Sequence, residues 1–62
     1  MKHNVYNVPA ILSRQEAQNI LHVSKGTMLR LIQNRQIRAS KIGNKYLIRR
    51  EDLMEFLHNN EV

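Results

Sequence analysis

Lys25, Gly26, Thr27, Arg30 and Gln33 gather two cations, a hydroxyl, a primary amide and one residue without a side chain into a single short stretch. An arginine in such a stretch can grip guanine bidentately in a major groove, which is worth about 1–3 kcal/mol of discrimination between bases. Gly26 lets a helix backbone come close to whatever lies over it, at a cost of about 1 kcal/mol in helix stability. The same spacing also fits a solvated helix face. A second group, Lys41, Asn44, Lys45 and Arg49, brackets Gly43. Cations and a free amide there suit phosphate, and such contacts supply register and salt-dependent affinity rather than sequence choice. Arg50 can add to them. The lysines would also protect a short sheet edge from aggregation, and the two roles are compatible. Arg14 and Arg38 fit ordinary surface charge equally.

Other chemistry finds no support in the residue types. The chain has no cysteine, which removes disulfides, thiolate zinc sites and thiol nucleophiles together. His3, His22 and His58 are widely spaced, and no pair has ligand spacing with an accompanying acid. His58 suits the negative end of a helix instead. Ser13, Ser24 and Ser40 lack a nucleophile-elbow context, and Asp52 with Glu55 reads as solvated charge on one helix face. No active site, metal or cofactor is expected, and the chain is read as a non-enzyme.

Ten Lys and Arg against five Asp and Glu give a net charge of +5 over 62 residues. A chain of this size holds one small, marginally stable domain with no room for a deep substrate cavity. Its basic balance points to a polyanionic partner. No apolar run nears the roughly 20 residues that span a bilayer, and the first residues lack a signal-peptide core. A cytoplasmic location with no membrane partner is the expectation.

The elements that must position these residues can be read in order. Residues 1–11 show no periodicity, and Pro9 pushes Val8 toward an extended conformation. They read as a flexible lead-in that docks Val5, Ile11 or Leu12 on the core, or frays. Ser13-Arg14-Gln15-Glu16 fits a capping box, and Ala17, Ile20 and Leu21 continue it into a helix over 14–21. Ser24 can cap a second helix ending near Asn34, with Met28, Leu31 and Ile32 on the buried face. Residues 37–42 and 45–49 are short strands around Gly43-Asn44, a tight hairpin turn. Tyr46 and Ile48 share one face of it, and Leu47 is left half exposed on the other. Glu51-Asp52 opens a third helix whose buried stripe is Leu53, Phe56 and Leu57, with Met54 at its edge. Met28 and Met54 fill core space. Residues 12–58 form the domain and 59–62 fray. Two helices joined by a turn of about three residues, then a hairpin and a third helix, make a mainly α fold with a small β-hairpin. This is a winged helix-turn-helix of order α-α-β-β-α.

Leu12-Ser13-Arg14-Gln15-Glu16-Ala17, His22-Val23-Ser24-Lys25-Gly26-Thr27, Arg30-Leu31-Ile32 and the run from Lys41 to Leu53 resemble the excisionase-type helix-turn-helix domain, a relative of the DNA-binding head of MerR-type regulators. The resemblance covers about residues 11–58. It implies a winged domain that binds double-stranded DNA, with the second helix in the major groove and the hairpin on the backbone. It further implies a recombination directionality factor that bends DNA, works beside a tyrosine recombinase (an integrase), occupies adjacent sites in several copies and favours excision of a mobile element. A small transcriptional regulator and a protein-interaction adaptor are the alternatives. The adaptor would need an exposed apolar patch, for which Leu29 and Leu47 are the candidates. Where this chain carries His22, Asn34-Arg35 and Arg38, the family usually has glycine, glycine and proline. Histidine and asparagine tolerate the left-handed conformation that the glycines supply.

Overall fold

Six short elements follow one another in the computed structural model, which describes residues 8–62: β1 (Ile11–Ser13), α1 (Arg14–Leu21), α2 (Lys25–Gln33), β2 (Ser40–Ile42), β3 (Lys45–Arg49) and α3 (Arg50–Asn59). The docking of Val5 and the setting of His3 lie outside the described residues. The architecture is the expected mainly helical winged helix-turn-helix, with one addition. The hairpin is joined by β1 into a three-stranded antiparallel sheet of order β1-β3-β2.

β1 differs from the loose lead-in expected before residue 12. Its register sets Ile11 opposite Arg49, Leu12 opposite Ile48 and Ser13 opposite Leu47. Pairing continues upstream: the Arg50 amide donates to the Ala10 carbonyl at 2.9 Å, and Arg50 Nη1 donates to the Val8 carbonyl at 2.9 Å. Leu12 is fully buried while Ile11 is exposed, the alternation that a pleated strand imposes.

Ser13 ends β1 and caps α1. Its Oγ accepts from the Glu16 amide at 3.1 Å, and its own amide donates to Glu16 Oε1 at 2.8 Å, so the capping box is complete. Ser24 caps α2 by accepting from the Thr27 amide at 3.2 Å. Both helices close by a Schellman arrangement, in which amides beyond the helix return to carbonyls of its last turn. For α1 the bonds are His22 to Asn19 and Val23 to Gln18. For α2 they are Arg35 to Ile32 and Gln36 to Leu31. The left-handed residues are His22 (φ 58°) and Arg35 (φ 60°). His22 takes the position expected of it, but at the second closure the residue is Arg35 rather than Asn34, whose φ is −84°.

The core is Leu12, Ala17, Met28, Ile37, Ile48 and Leu53, with Leu21, Leu31, Ile32 and Phe56 packed around it. Ile37 belongs to this core and not to β2. Its amide still bonds the Leu31 carbonyl of α2 at 3.3 Å, so the ladder begins only at Ser40. In α3 the buried side runs over Asp52 and Leu53, with Phe56 half-buried. Leu57, expected in the stripe, is 42% exposed, and Ile20 of α1 is also exposed. Leu47 is half-buried, as expected, and Leu29, the other candidate for an exposed apolar patch, is half-buried too. Among the described residues, the large apolar side chains that stand exposed are Ile11, Ile20, Ile42, Leu57 and Val62.

Candidate nucleic-acid interface

α2 turns Met28 fully inward. At 100° per residue, Gly26, Arg30 and Gln33 then stand on the opposite side, spaced i, i+4 and i+7. All three are exposed, as is Lys25. Lys25 and Thr27 flank this stripe at the first turn. Thr27 is half-buried, and its Oγ1 lies 3.0 Å from Ser24 Oγ.

The start of α2 is electrostatically open. α1 carries Glu16 in its first turn and α3 carries Glu51 and Asp52, whereas α2 carries no acid there. The positive end of its dipole is therefore uncompensated by a charged side chain. Thr27 and Met28 spend their amides on Ser24. The Lys25 and Gly26 amides have no acceptor among the described residues and face outward, as the first donors of a helix do. A Cβ added at Gly26 would meet nothing within 4 Å. Packing inside the molecule gives no reason for a glycine there.

The wing is built on a two-residue turn with positive φ at Gly43 alone (61°), the φ pattern of a type II′ hairpin. It holds Lys41, Asn44 and Lys45 exposed, and neither lysine forms an ion pair among the described residues. Lys41 lies directly across the ladder from Tyr46. Its Nζ sits 5.7 Å from the centre of that ring, a cation–π contact that restrains a flexible side chain.

The arrangement is a capped, acid-free helix presented beside a cationic hairpin. A helix-turn-helix domain family matches residues 11–61 of the chain. The chain belongs to this family. No curated protein sequence and no solved structure gives a significant match. The helix-turn-helix is a non-catalytic, DNA-binding fold, and its partner class is double-stranded DNA. Among the described residues no helix is long and apolar enough to cross a membrane. No group of three or more His, Asp or Glu side chains that could hold a metal ion is found there either. His58 sits in the last turn of α3, with Nδ1 3.8 Å from Glu61 Oε2.

Within this helix-turn-helix, one residue of the expected wing group is placed differently from the others. Arg49 turns its fork onto Asp52, with Nε 2.9 Å from Oδ2 and Nη2 3.3 Å from Oδ1. The hydrogen bond to Asp52 and then its charge, with smaller help from Glu51 and Glu55, raise the Arg49 pKa above its ordinary value. Asp52 is the only buried charged side chain among the described residues. It stands where a capping carboxylate would, but binds the side chain of the residue before the helix. The i, i+3 spacing of Arg49 and Asp52 was visible in the sequence; their closure on each other was not. Arg50 is committed to Val8 and Ala10. Arg14 donates to Gln18 one turn along α1, and its surroundings were also missed, because they are formed by β3.

Proposed function

We propose that the chain is a sequence-specific double-stranded DNA-binding protein that acts as a recombination directionality factor. The open face of α2 carries the reading: Gly26, Arg30 and Gln33 in line, with Lys25 and Thr27 beside them and no acid at the helix start. A groove in B-DNA is wide enough for this helix. Arg30 and Gln33 address base edges, while Lys25, Thr27 and the two outward amides take phosphate at the groove wall. Lys41, Asn44 and Lys45 hold the backbone beside it. Arg49 has its fork filled by Asp52 and does not join these three on the phosphates.

The excisionase role rests on the residues of 11–58 that resemble that family. In this role several copies sit side by side, bend the duplex and help a tyrosine recombinase to assemble on the excision substrate. Selection of binding sites from random duplex DNA tests the first part. The wild type should enrich one motif, and Arg30→Ala should lose about 1–3 kcal/mol of discrimination at one base pair. Enrichment of no motif by the wild type would remove sequence-specific reading. The second part is tested by deleting the gene and measuring excision of the element beside transcript levels. Unchanged excision with altered transcripts would make the protein a regulator instead.

A further inference from the structure

Where β1 stops, it leaves part of β3 without a neighbour. β1 pairs with residues 47–49 of β3, and the chain leaves the sheet at Ser13 to begin α1. β2 pairs with residues 45–47 along the other edge. Lys45 and Tyr46 are thus flanked on one side only. In a two-residue hairpin the first pair, here Ile42 and Lys45, exchanges the first ladder hydrogen bonds, and their direction alternates along an antiparallel strand. The Tyr46 amide therefore points away from β2, into the notch that β1 vacates.

That notch is an open groove of about 330 Å³, lined by Ser13, Arg14 and Gln15 at the start of α1 and by Asn44, Lys45, Tyr46 and Leu47 of the wing. It offers a guanidinium, an ammonium, two side-chain amides and an edge N–H, and no carboxylate lines it. Glu16, the nearest acid in sequence, is tied back to the Ser13 amide. Arg14 is half-buried and held along α1 by Gln18, which orients the rest of its fork at little further entropic cost. A donor set of this kind, one fork and one point charge around a backbone N–H, matches a singly charged oxyanion.

We propose that the notch between α1 and the wing seats one phosphodiester of the duplex backbone, in addition to the contacts of α2 and the wing tip. The proposal rests on the duplex-binding reading above. It makes Arg14, Gln15 and the Tyr46 amide part of the interface and ties the wing to α1 through the DNA strand.

Binding of a mixed-sequence duplex by the wild type, Arg14→Gln and Arg14→Lys, measured against salt, tests it. Arg14→Gln should weaken binding by a similar factor on every sequence and make the log–log slope shallower by about 1. Arg14→Lys should recover the slope. In the wild type, amide spectra should show the Tyr46 resonance moving on addition of duplex and staying in place with inorganic phosphate at the same ionic strength. A wild-type slope in Arg14→Gln overturns the proposal. So does a Tyr46 amide that stays still while those of Lys25 and Gly26 move, or one that inorganic phosphate shifts as far as duplex does. These results leave the α2 reading standing. The wider reading fails separately, if the wild type shows no salt-dependent affinity for duplex at all.

Discussion

Gly26 and Arg35 each carry a side chain, or the lack of one, that the local backbone does not favour. Gly26 sits in a helix with free space where a Cβ would go. Gly26→Ala should therefore raise stability by about 1 kcal/mol and the melting temperature by about 4–8 °C, while reducing affinity for duplex. Calorimetry and a binding isotherm on the same sample check both signs. A gain in both would mean that the space is not occupied by DNA. Arg35 is held at φ 60° with its side chain in solvent, and a left-handed conformation costs an ordinary residue roughly 1–2 kcal/mol. Part of that relief is offset by the freedom glycine gains in the unfolded chain. Arg35→Gly should accordingly stabilise the domain by up to about 1 kcal/mol, seen as a later thermal midpoint.

At the scale of elements, the question is what each helix start is used for. α1 and α3 fill theirs with Glu16 and with Glu51 and Asp52, and both are structural. Ser13→Ala removes the Oγ half of the α1 capping box and leaves the residue-13 amide on Glu16; it should cost about 1 kcal/mol, measurable by urea denaturation. Arg49→Ala removes the partner of a buried carboxylate. It should lower the melting temperature while leaving the salt slope of duplex binding as in the wild type, because the guanidinium is committed to Asp52 and not to phosphate. A shallower slope with an unchanged melting temperature would return Arg49 to the wing surface. The start of α2, by contrast, lacks an acid and leaves two amides outward.

For the whole molecule, stability is concentrated in few side chains. Six buried apolar residues drawn from β1, α1, α2, the α2–β2 loop, β3 and α3 make one core. Leu53→Ala would open a cavity beneath α3 at a cost of about 2–5 kcal/mol, a large share of the stability of so small a domain. Circular dichroism at room temperature should already show a partly unfolded population. With the fold intact, about five phosphate contacts should give a log–log salt slope of about −4 to −5.

Local rules make much of this legible in the sequence alone. The Ser13-to-Glu16 spacing marked the start of α1, Gly43-Asn44 marked the turn, and the three-to-four spacing of Met28, Leu31 and Ile32 left the face of α2 that carries Gly26, Arg30 and Gln33. Each depends on residues within one turn or one hairpin, where backbone geometry and hydrogen bonding are set by near neighbours. What the tertiary structure alone decided involves partners distant along the chain or a choice among equals. Three residues of β1 are too few to show a period, and Leu12 becomes a strand residue only because Ile48 lies opposite it. Leu57 and Ile42 are exposed because no element covers them, although their type is that of Leu53 and Ile48. Arg14 gains its notch from the place where β1 ends. Charge and periodicity state which residues want burial or an anionic partner; packing decides which of them receive it.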